Sequence, residues 1–280
     1  MHVVQDSGKS FIPPGESLRT GHPDLIKFAK ASKEDLVERW ASAEGQLILA
    51  TLLANDWDRT SIEAQVGSLY DHLDLRGCPL RDADLQGRDL SNIDFFAADL
   101  SGANLTGANL AGAHFSQAHI RGTIFDWTRL SGAFFDDADY SERTSMIGVD
   151  LNAVNFNRAI LLYDQARLQQ RIDHLQRRHP AFGQFLRITS NYGRSLLRWT
   201  IWVSGVVIIF GLIYSAVPGA IKPQSLLDGL YFSAVTFTTV GYGDVVPMGI
   251  GRIIAVGEMF LGLVMAGLLI AILTKRLFGE

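Results

Sequence analysis

Residues 239–243, Thr-Val-Gly-Tyr-Gly, have a composition suited to surrounding a cation that has left its hydration shell. Such a cation must exchange its bound water for oxygen atoms that the protein holds in fixed positions. Gly241 and Gly243 lack a Cβ atom, so they can adopt backbone conformations that direct successive carbonyl groups at one axis. Thr239 adds a side-chain hydroxyl at one end of the segment. The segment therefore predicts a column of oxygen ligands for a metal ion.

Two long apolar stretches lie on either side of this segment. Residues 199–221 contain no charged side chain, and residues 253–274 contain a single one, Glu258. A helix needs about 20 apolar residues to cross a bilayer. The sequence therefore predicts an outer helix at residues 199–217 and an inner helix at residues 250–274.

A third apolar stretch, residues 225–238, is too short to cross the bilayer and ends directly at the glycine-rich segment. Non-helical backbone is tolerated at membrane depth only where it is buried in protein or lines water. We therefore expect residues 225–238 to form a re-entrant helix. The negative end of its dipole would point toward the path of the cation.

Residues 199–276 resemble the pore module of two-helix prokaryotic potassium channels, because the motif Thr-Val-Gly-Tyr-Gly-Asp lies between two membrane helices. The resemblance implies a pore domain at residues 199–274, with a pore helix at 225–238 and a selectivity filter at 239–243. It also implies three identical partner subunits, potassium ions in the filter and no other cofactor. The implied filter residues are Thr239, Val240, Gly241, Tyr242 and Gly243, with Asp244 at the outer mouth.

Two acidic residues of the pore domain need partners. Some relatives carry a glutamate in the pore helix that pairs with the filter aspartate, but this chain has Val235 at that position. Tyr231, one helical turn earlier, is the expected partner of Asp244. A carboxylate inside a membrane is costly, so Glu258 is a functional hypothesis by default. It is predicted either to make a structural hydrogen bond to the pore helix or filter backbone, or to be a proton-sensitive regulatory element.

The inner helix contains a candidate hinge and a candidate gate. Gly262 is the hinge, since related channels often bend there and a glycine can absorb such a bend. Leu263, Gly267, Ile270 and Thr274 share one face at helical spacing, which we predict to line the pore. Ile270 and Thr274 would form a narrow gate that closes by dewetting. The alternative is ordinary helix packing by small and apolar residues.

A different periodicity dominates the first half of the chain. Large apolar residues recur every five positions from Leu75 to Tyr140, and they continue in a shifted register to Leu161. A period of five fits neither a helix nor a plain strand. It resembles the pentapeptide-repeat family, which implies a right-handed quadrilateral β-helix at residues 71–163. The extra residue near 141–145 predicts a bulge or a loop.

The remaining segments are interpreted from composition and charge. Residues 1–70 are predicted to be a tail and capping helices, with one amphipathic helix at residues 32–54. Residues 164–198 are predicted to be a linker with a helix along the membrane, and residues 275–280 a cytoplasmic tail. Basic residues near the membrane helices predict that both termini of this multi-pass protein are cytoplasmic, with the cell (inner) membrane as its location. These residues are Arg187, Arg194, Arg198, Lys275 and Arg276.

The expected fold is multidomain: a cytoplasmic β-helix joined to an all-α two-helix potassium-channel pore module. The expected function is a subunit of a homotetrameric potassium-selective channel, not an enzyme, in which the β-helix serves assembly or gating. Two alternatives remain open: a membrane-anchored interaction scaffold with a vestigial pore, and a non-selective cation channel. The expected partners are three identical subunits, potassium ions and the lipid bilayer. No nucleic-acid partner is expected, because the outward column of the repeats mixes aspartate with asparagine and histidine.

Overall fold

The computed structural model of the chain describes residues 11–17 and 28–278. The chain divides into two compact units, the first ending at His174 and the second beginning at Leu175. Sequence predictions for the other residues lie outside the described part of the chain. The same holds for predictions that depend on side chains beyond residue 274.

Within the described residues, the elements that precede the repeats include α1 (Lys33–Glu38), a 3₁₀ turn (Arg39–Ala41), α2 (Ala43–Ala54) and α3 (Arg59–Gln65). The prediction of one continuous helix at residues 32–54 is wrong. The chain breaks at Ser42, whose extended backbone lets its hydroxyl accept a hydrogen bond from the Gly45 amide at 3.1 Å. The break also lets Trp40 bury its indole, which donates to the carbonyl group of Arg76 at 2.8 Å.

The repeats form a β-helix in which each coil consists of four pentapeptides. Its first strands are β1 (Ser68–Leu69), β2 (His72–Asp74) and β3 (Ile93–Asp94), with β1 antiparallel to β2 and β2 parallel to β3. Further parallel bridges join residues 20 positions apart, such as Asp84 with Asn104. The spacing becomes 21 where Ile124 pairs with Ser145, which is where the sequence carries its extra residue.

The inward positions of the repeats build one continuous core. Phe95, Phe115, Phe135 and Phe156 stack from coil to coil, with successive ring centroids 5.2, 4.8 and 5.8 Å apart. The small inward positions are also buried; they include Ala98, Ala103, Ala108, Ala113 and Ala118. Each coil therefore depends on contacts with the coils next to it, as expected of a repeat protein.

Helix α4 (Ile160–Arg178) covers the C-terminal end of the repeats and begins before their predicted end at residue 163. The side-chain amide of Gln169 donates to the carbonyl group of Thr144 at 2.7 Å. Such a contact satisfies a backbone oxygen at the end of the β-helix. Leu161, which the five-residue pattern assigned to an inward position, is 69% exposed in the first turn of α4. The predicted boundary was therefore too late, because helical packing replaces the repeat there.

A buried ion cluster fixes the N-terminal cap to the first coil. Arg39 donates to both carboxylate oxygens of Asp74 at 2.9 Å, and Arg76 donates to the same carboxylate at 2.8 Å. All three side chains are buried. Burial alone would raise the pKa of Asp74, but the two guanidinium groups outweigh it and hold this pKa well below its usual range.

We expect Asp74→Asn to destabilise the first unit at neutral pH by roughly 3–5 kcal/mol, because it leaves two buried guanidinium groups without their carboxylate. The lowered pKa means that the contribution of Asp74 is complete above the ordinary aspartate pKa of about 4 and declines as the pH falls below it. The difference in urea midpoint between wild type and variant should be constant from about pH 6 to 8 and shrink below about pH 4. Arg129→Ala, at an exposed side chain, is the control. Equal stability of Asp74→Asn and wild type at neutral pH would contradict the assignment.

Four helices begin in the described part of the second unit: the amphipathic helix α5 (Pro180–Ser190), the outer helix (Leu196–Ala216), the pore helix (Leu226–Phe237) and the inner helix (Gly251–Phe278). The outer and inner helices are long and apolar enough to cross a membrane. Two short strands, β4 (Ile221–Lys222) and β5 (Val246–Pro247), pair antiparallel. They join the chain that follows the outer helix to the chain that precedes the inner helix.

Two helix bounds differ by more than one residue from those predicted. The outer helix begins before residue 199, because the Ser195 hydroxyl accepts a hydrogen bond from the Arg198 amide at 3.2 Å and caps the helix. The inner helix continues to Phe278, so the predicted tail at residues 275–280 is helical over its described part. Lysine and arginine are good helix formers, and their charge does not end a helix.

Candidate ion-conduction site

The backbone of the filter segment alternates in conformation. Thr239, Gly241 and Gly243 have positive φ angles of 58°, 57° and 81°, whereas Val240 and Tyr242 between them do not. When right-handed and left-handed conformations alternate along a backbone, successive N–H groups point to one side and successive carbonyl groups to the other. The alternating sign of φ through the segment is the pattern expected for such a row of carbonyl oxygens.

Thr239 is strained. A positive φ is a genuine outlier for a β-branched residue and costs on the order of 1–3 kcal/mol. The pore helix holds the residue in place, because the Thr239 amide donates to the carbonyl of Thr236 at 3.0 Å and the Val240 amide to that of Val235 at 3.0 Å. Strain of this kind persists only where the surrounding structure enforces it.

The structure brings Tyr231 and Asp244 together beyond the filter segment. The Tyr231 hydroxyl donates to Asp244 Oδ2 at 2.8 Å, and the Val245 amide donates to Asp244 Oδ1 at 3.1 Å. Val235 makes no polar side-chain contact, since its side chain has no donor or acceptor. The aspartate is therefore oriented by a phenol from the pore helix and by the backbone that follows it.

The filter segment is exposed within one chain. Every residue from 238 to 244 has an exposed side chain or backbone, and Val240 and Tyr242 are 53% and 72% exposed. A valine and a tyrosine in a strained, exposed segment leave an apolar surface without a partner in the chain itself.

Glycines let the helices of the second unit approach closely. A Cβ atom on Gly211 of the outer helix would lie 2.8 Å from the Cα atom of Leu230 in the pore helix. A Cβ on Gly229 would overlap with Ser215, and one on Gly262 of the inner helix would overlap with the carbonyl oxygen of Phe237. These contacts fix the pore helix between the other two. The sequence analysis missed Gly211 and Gly229, although small residues four apart, as in Gly211 and Ser215, are a signal of close helix packing.

The inner helix presents two different faces. Ala255, Glu258, Gly262, Met265 and Ile272 are buried against the chain's own helices. The predicted pore-lining residues lie on the other face and are exposed: Leu263, Gly267, Ile270 and Thr274. The helix is uninterrupted at Gly262, where glycine is needed for the close approach to Phe237.

Glu258 connects the three helices. Its side chain is fully buried and is hydrogen-bonded to Tyr214 of the outer helix at 2.8 Å and to Ser233 of the pore helix. The contact to the pore helix is one of the two roles predicted for Glu258. The sequence analysis missed Tyr214 and Ser233, because nothing in their local pattern indicates which membrane residue they face.

A serine, a histidine and an aspartate also meet on the β-helix. His114 lies 3.1 Å from Asp94 through Nδ1 and 2.9 Å from the Ser116 hydroxyl through Nε2. Ser116 is only 8% exposed, and the imidazole packs against Phe134. The arrangement is a polar column between successive coils that gives a substrate no access to the hydroxyl.

Two family models match the chain. Residues 202–279 match a family described as ion channel, and residues 98–137 match eight copies of the pentapeptide repeat. Together with the two membrane-length helices and the coil geometry, these matches define the class of protein. The C-terminal region is an ion channel domain, the N-terminal region consists of pentapeptide repeats, and both resemblances drawn from the sequence are confirmed.

Individual relatives match parts of the chain. Protein LctB of Geobacillus stearothermophilus is 51% identical over 55 residues, which cover 20% of this chain and 39% of that protein. Two-pore potassium channel 1 of Arabidopsis thaliana is 33% identical over 95 residues, which cover 33% of this chain and 26% of that protein. The chain thus spans less than half the length of each.

A solved structure, a pentapeptide repeat protein from the Arabidopsis thaliana thylakoid lumen, has 26% sequence identity to this chain. The match covers 32% of this chain and 72% of that protein. Its TM-score is 0.14.

We expect Gly262→Ala to destabilise the second unit by roughly 1–3 kcal/mol, because the added methyl group meets a backbone oxygen that cannot move without shifting the pore helix. Gly205→Ala is the matched control, since a Cβ atom there meets nothing within 4 Å in the chain. Thermal unfolding in detergent, followed by circular dichroism, should show a lower midpoint for Gly262→Ala alone. Equal midpoints for the two variants would contradict the close packing at Gly262.

Proposed function

We propose that the protein is a subunit of a potassium-selective channel that conducts K⁺ passively as a homotetramer. The observation that supports this most strongly is the alternating backbone conformation through Thr-Val-Gly-Tyr-Gly at the end of the pore helix. A potassium ion needs a set of oxygen atoms that replaces its hydration shell, and filter carbonyls provide such a set. The ligands we assign are the carbonyl oxygens of Thr239, Val240, Gly241 and Tyr242 and the hydroxyl of Thr239.

The need for several copies follows from the geometry of one chain. A single filter segment can supply oxygens on only one side of an ion, so identical segments must surround an axis. The exposed side chains of Val240 and Tyr242 support this, because a neighbouring copy would cover them. Four copies is the number that the resemblance to potassium channels implies.

The pore helix adds an electrostatic contribution. It begins at the Ser225 cap with Asp228 in its first turn, and it ends at Thr238, directly before the filter segment. The aligned peptide dipoles of the helix give this end a partial negative charge. Such a charge stabilises a cation in a pore where water is scarce, without placing a full carboxylate beside it.

We further propose that both termini lie in the cytoplasm and that the protein resides in the cell membrane. Exposed arginines cluster near the start of the outer helix, at positions 187, 194 and 198, and basic residues favour the cytoplasmic side. Helix α5 carries exposed apolar side chains, with Phe182 at 49% and Ile188 at 43%, as expected of a helix that lies at a membrane surface.

The β-helix is proposed to be right-handed and quadrilateral, to lie in the cytoplasm and to serve assembly or gating. Its rigid stacked core and its capped ends suit a domain that holds a fixed shape. We also propose that Ile270 and Thr274 form the gate, since both are exposed on the inner helix and a neighbouring copy could meet them.

The test is potassium flux into liposomes that contain the purified full-length protein. We expect flux that barium blocks and that Gly241→Ala abolishes, because an alanine at this φ costs about 1–2 kcal/mol in each copy. Gly205→Ala, at a glycine with a negative φ and open space, should conduct like wild type. Native mass spectrometry of the same samples should give four copies. Wild-type protein without flux would support the interaction-scaffold alternative. Equal fluxes of sodium and potassium would support the non-selective cation channel.

A further inference from the structure

If the carboxylate of Glu258 were ionised, the groups around it would have too few hydrogen atoms to make all of their hydrogen bonds. The Ser233 hydroxyl is hydrogen-bonded to Glu258 Oε1, and it also lies 2.8 Å from the carbonyl oxygen of Val207. A serine hydroxyl carries one hydrogen, a carbonyl oxygen only accepts, and an ionised carboxylate only accepts. With Glu258 ionised, two acceptors would compete for one hydrogen, and one of the two contacts would be repulsive.

A proton on Glu258 supplies the missing hydrogen atom. The carboxyl group then donates from Oε1 to Ser233, Ser233 donates to Val207, and Tyr214 donates to Glu258 Oε2 at 2.8 Å. Three donors meet three acceptors, and each hydrogen is used once. Glu258, Ser233 and Tyr214 are all fully buried, so no exchange with bulk water replaces a missing bond.

The charges near Glu258 point the same way. The titratable group that faces it from the outer helix is Tyr214, and the pore helix presents Ser233. Within the described residues, no lysine or arginine forms an ion pair with Glu258; the side chain of Arg252, on the same helix, instead donates to the carbonyl of Pro247 at 3.3 Å. A buried charge without an opposite partner is costly, and a group in that position becomes neutral instead.

We infer that Glu258 is protonated in the folded protein and acts as a hydrogen-bond donor that positions the pore helix. The closed set of bonds joins all three helices of the ion channel domain at one point. A second contact lies one helical turn beyond Glu258 on the inner helix and one turn beyond Ser233 on the pore helix. There Gly262 packs against the carbonyl of Phe237 at the end of the pore helix. Two successive turns of the pore helix are thus held immediately before Thr239, the strained first residue of the filter segment.

Infrared spectroscopy of the full-length protein in lipid tests the protonation directly. The difference spectrum between wild type and Glu258→Gln at neutral pH should contain the C=O stretching band of a protonated carboxylic acid in wild type only. In Tyr214→Phe this band should move to higher frequency, because the C=O group loses the hydrogen bond that it accepts. A carboxylate band in place of the acid band, or an acid band that Tyr214→Phe leaves unshifted, would overturn the inference.

Potassium flux provides the second readout. This readout rests on the proposed channel function, whereas the infrared measurement does not. An amide can donate to Ser233 and accept from Tyr214, so Glu258→Gln should keep the potassium flux and the thermal midpoint of wild type. Glu258→Leu should lose both, because Tyr214 loses its buried acceptor and the bond between the inner helix and Ser233 is removed. Loss of flux in Glu258→Gln with an unchanged midpoint would contradict the positioning role. Wild-type protein without flux would refute the channel proposal, while the infrared bands would still decide the protonation state.

Discussion

Backbone polar groups cannot remain unsatisfied within the hydrocarbon of a membrane, and the rest of the second unit depends on how residues 239–243 meet this constraint. The segment is neither helix nor strand, and the sign of φ alternates along it. In the proposed channel, carbonyl oxygens that face a common axis are satisfied by cations that pass along it. That arrangement would give the backbone of this strained segment polar partners where water and lipid cannot.

The three helices around the segment supply the rigidity that this backbone requires. Glycines at positions 211, 229 and 262 bring the helices close enough for backbone contact. Glu258 then adds hydrogen bonds from the inner helix to Tyr214 of the outer helix and Ser233 of the pore helix. Outside the filter, Tyr231 holds Asp244 in place of the glutamate that some relatives use. A strained loop is therefore supported from its inner end, its outer end and the helix that leads into it.

Much of this architecture could be predicted from the sequence, because it depends on local pattern. The five-residue period indicated the stacked coils, and the apolar lengths indicated the membrane helices. The resemblance to potassium channels, together with one turn of helical spacing from Val235, indicated the pair Tyr231 and Asp244. The break at Ser42 could not be predicted, since the burial of Trp40 against the first coil decides it and its partner Arg76 is distant in sequence. Tyr214 and Ser233 were missed for the same reason. Leu161 was assigned wrongly because a five-residue pattern cannot show where helical packing takes over.

The central claim is that identical backbone segments select a dehydrated potassium ion by replacing its water. It is tested most directly by the reversal potential of the purified protein in a planar bilayer with potassium on one side and sodium on the other. The account predicts a reversal potential displaced by more than about 60 mV in the direction that favours potassium, since a tenfold preference for a monovalent ion corresponds to 59 mV. A steady current that reverses near zero would show that the segment does not discriminate between the two ions, and it would contradict the account.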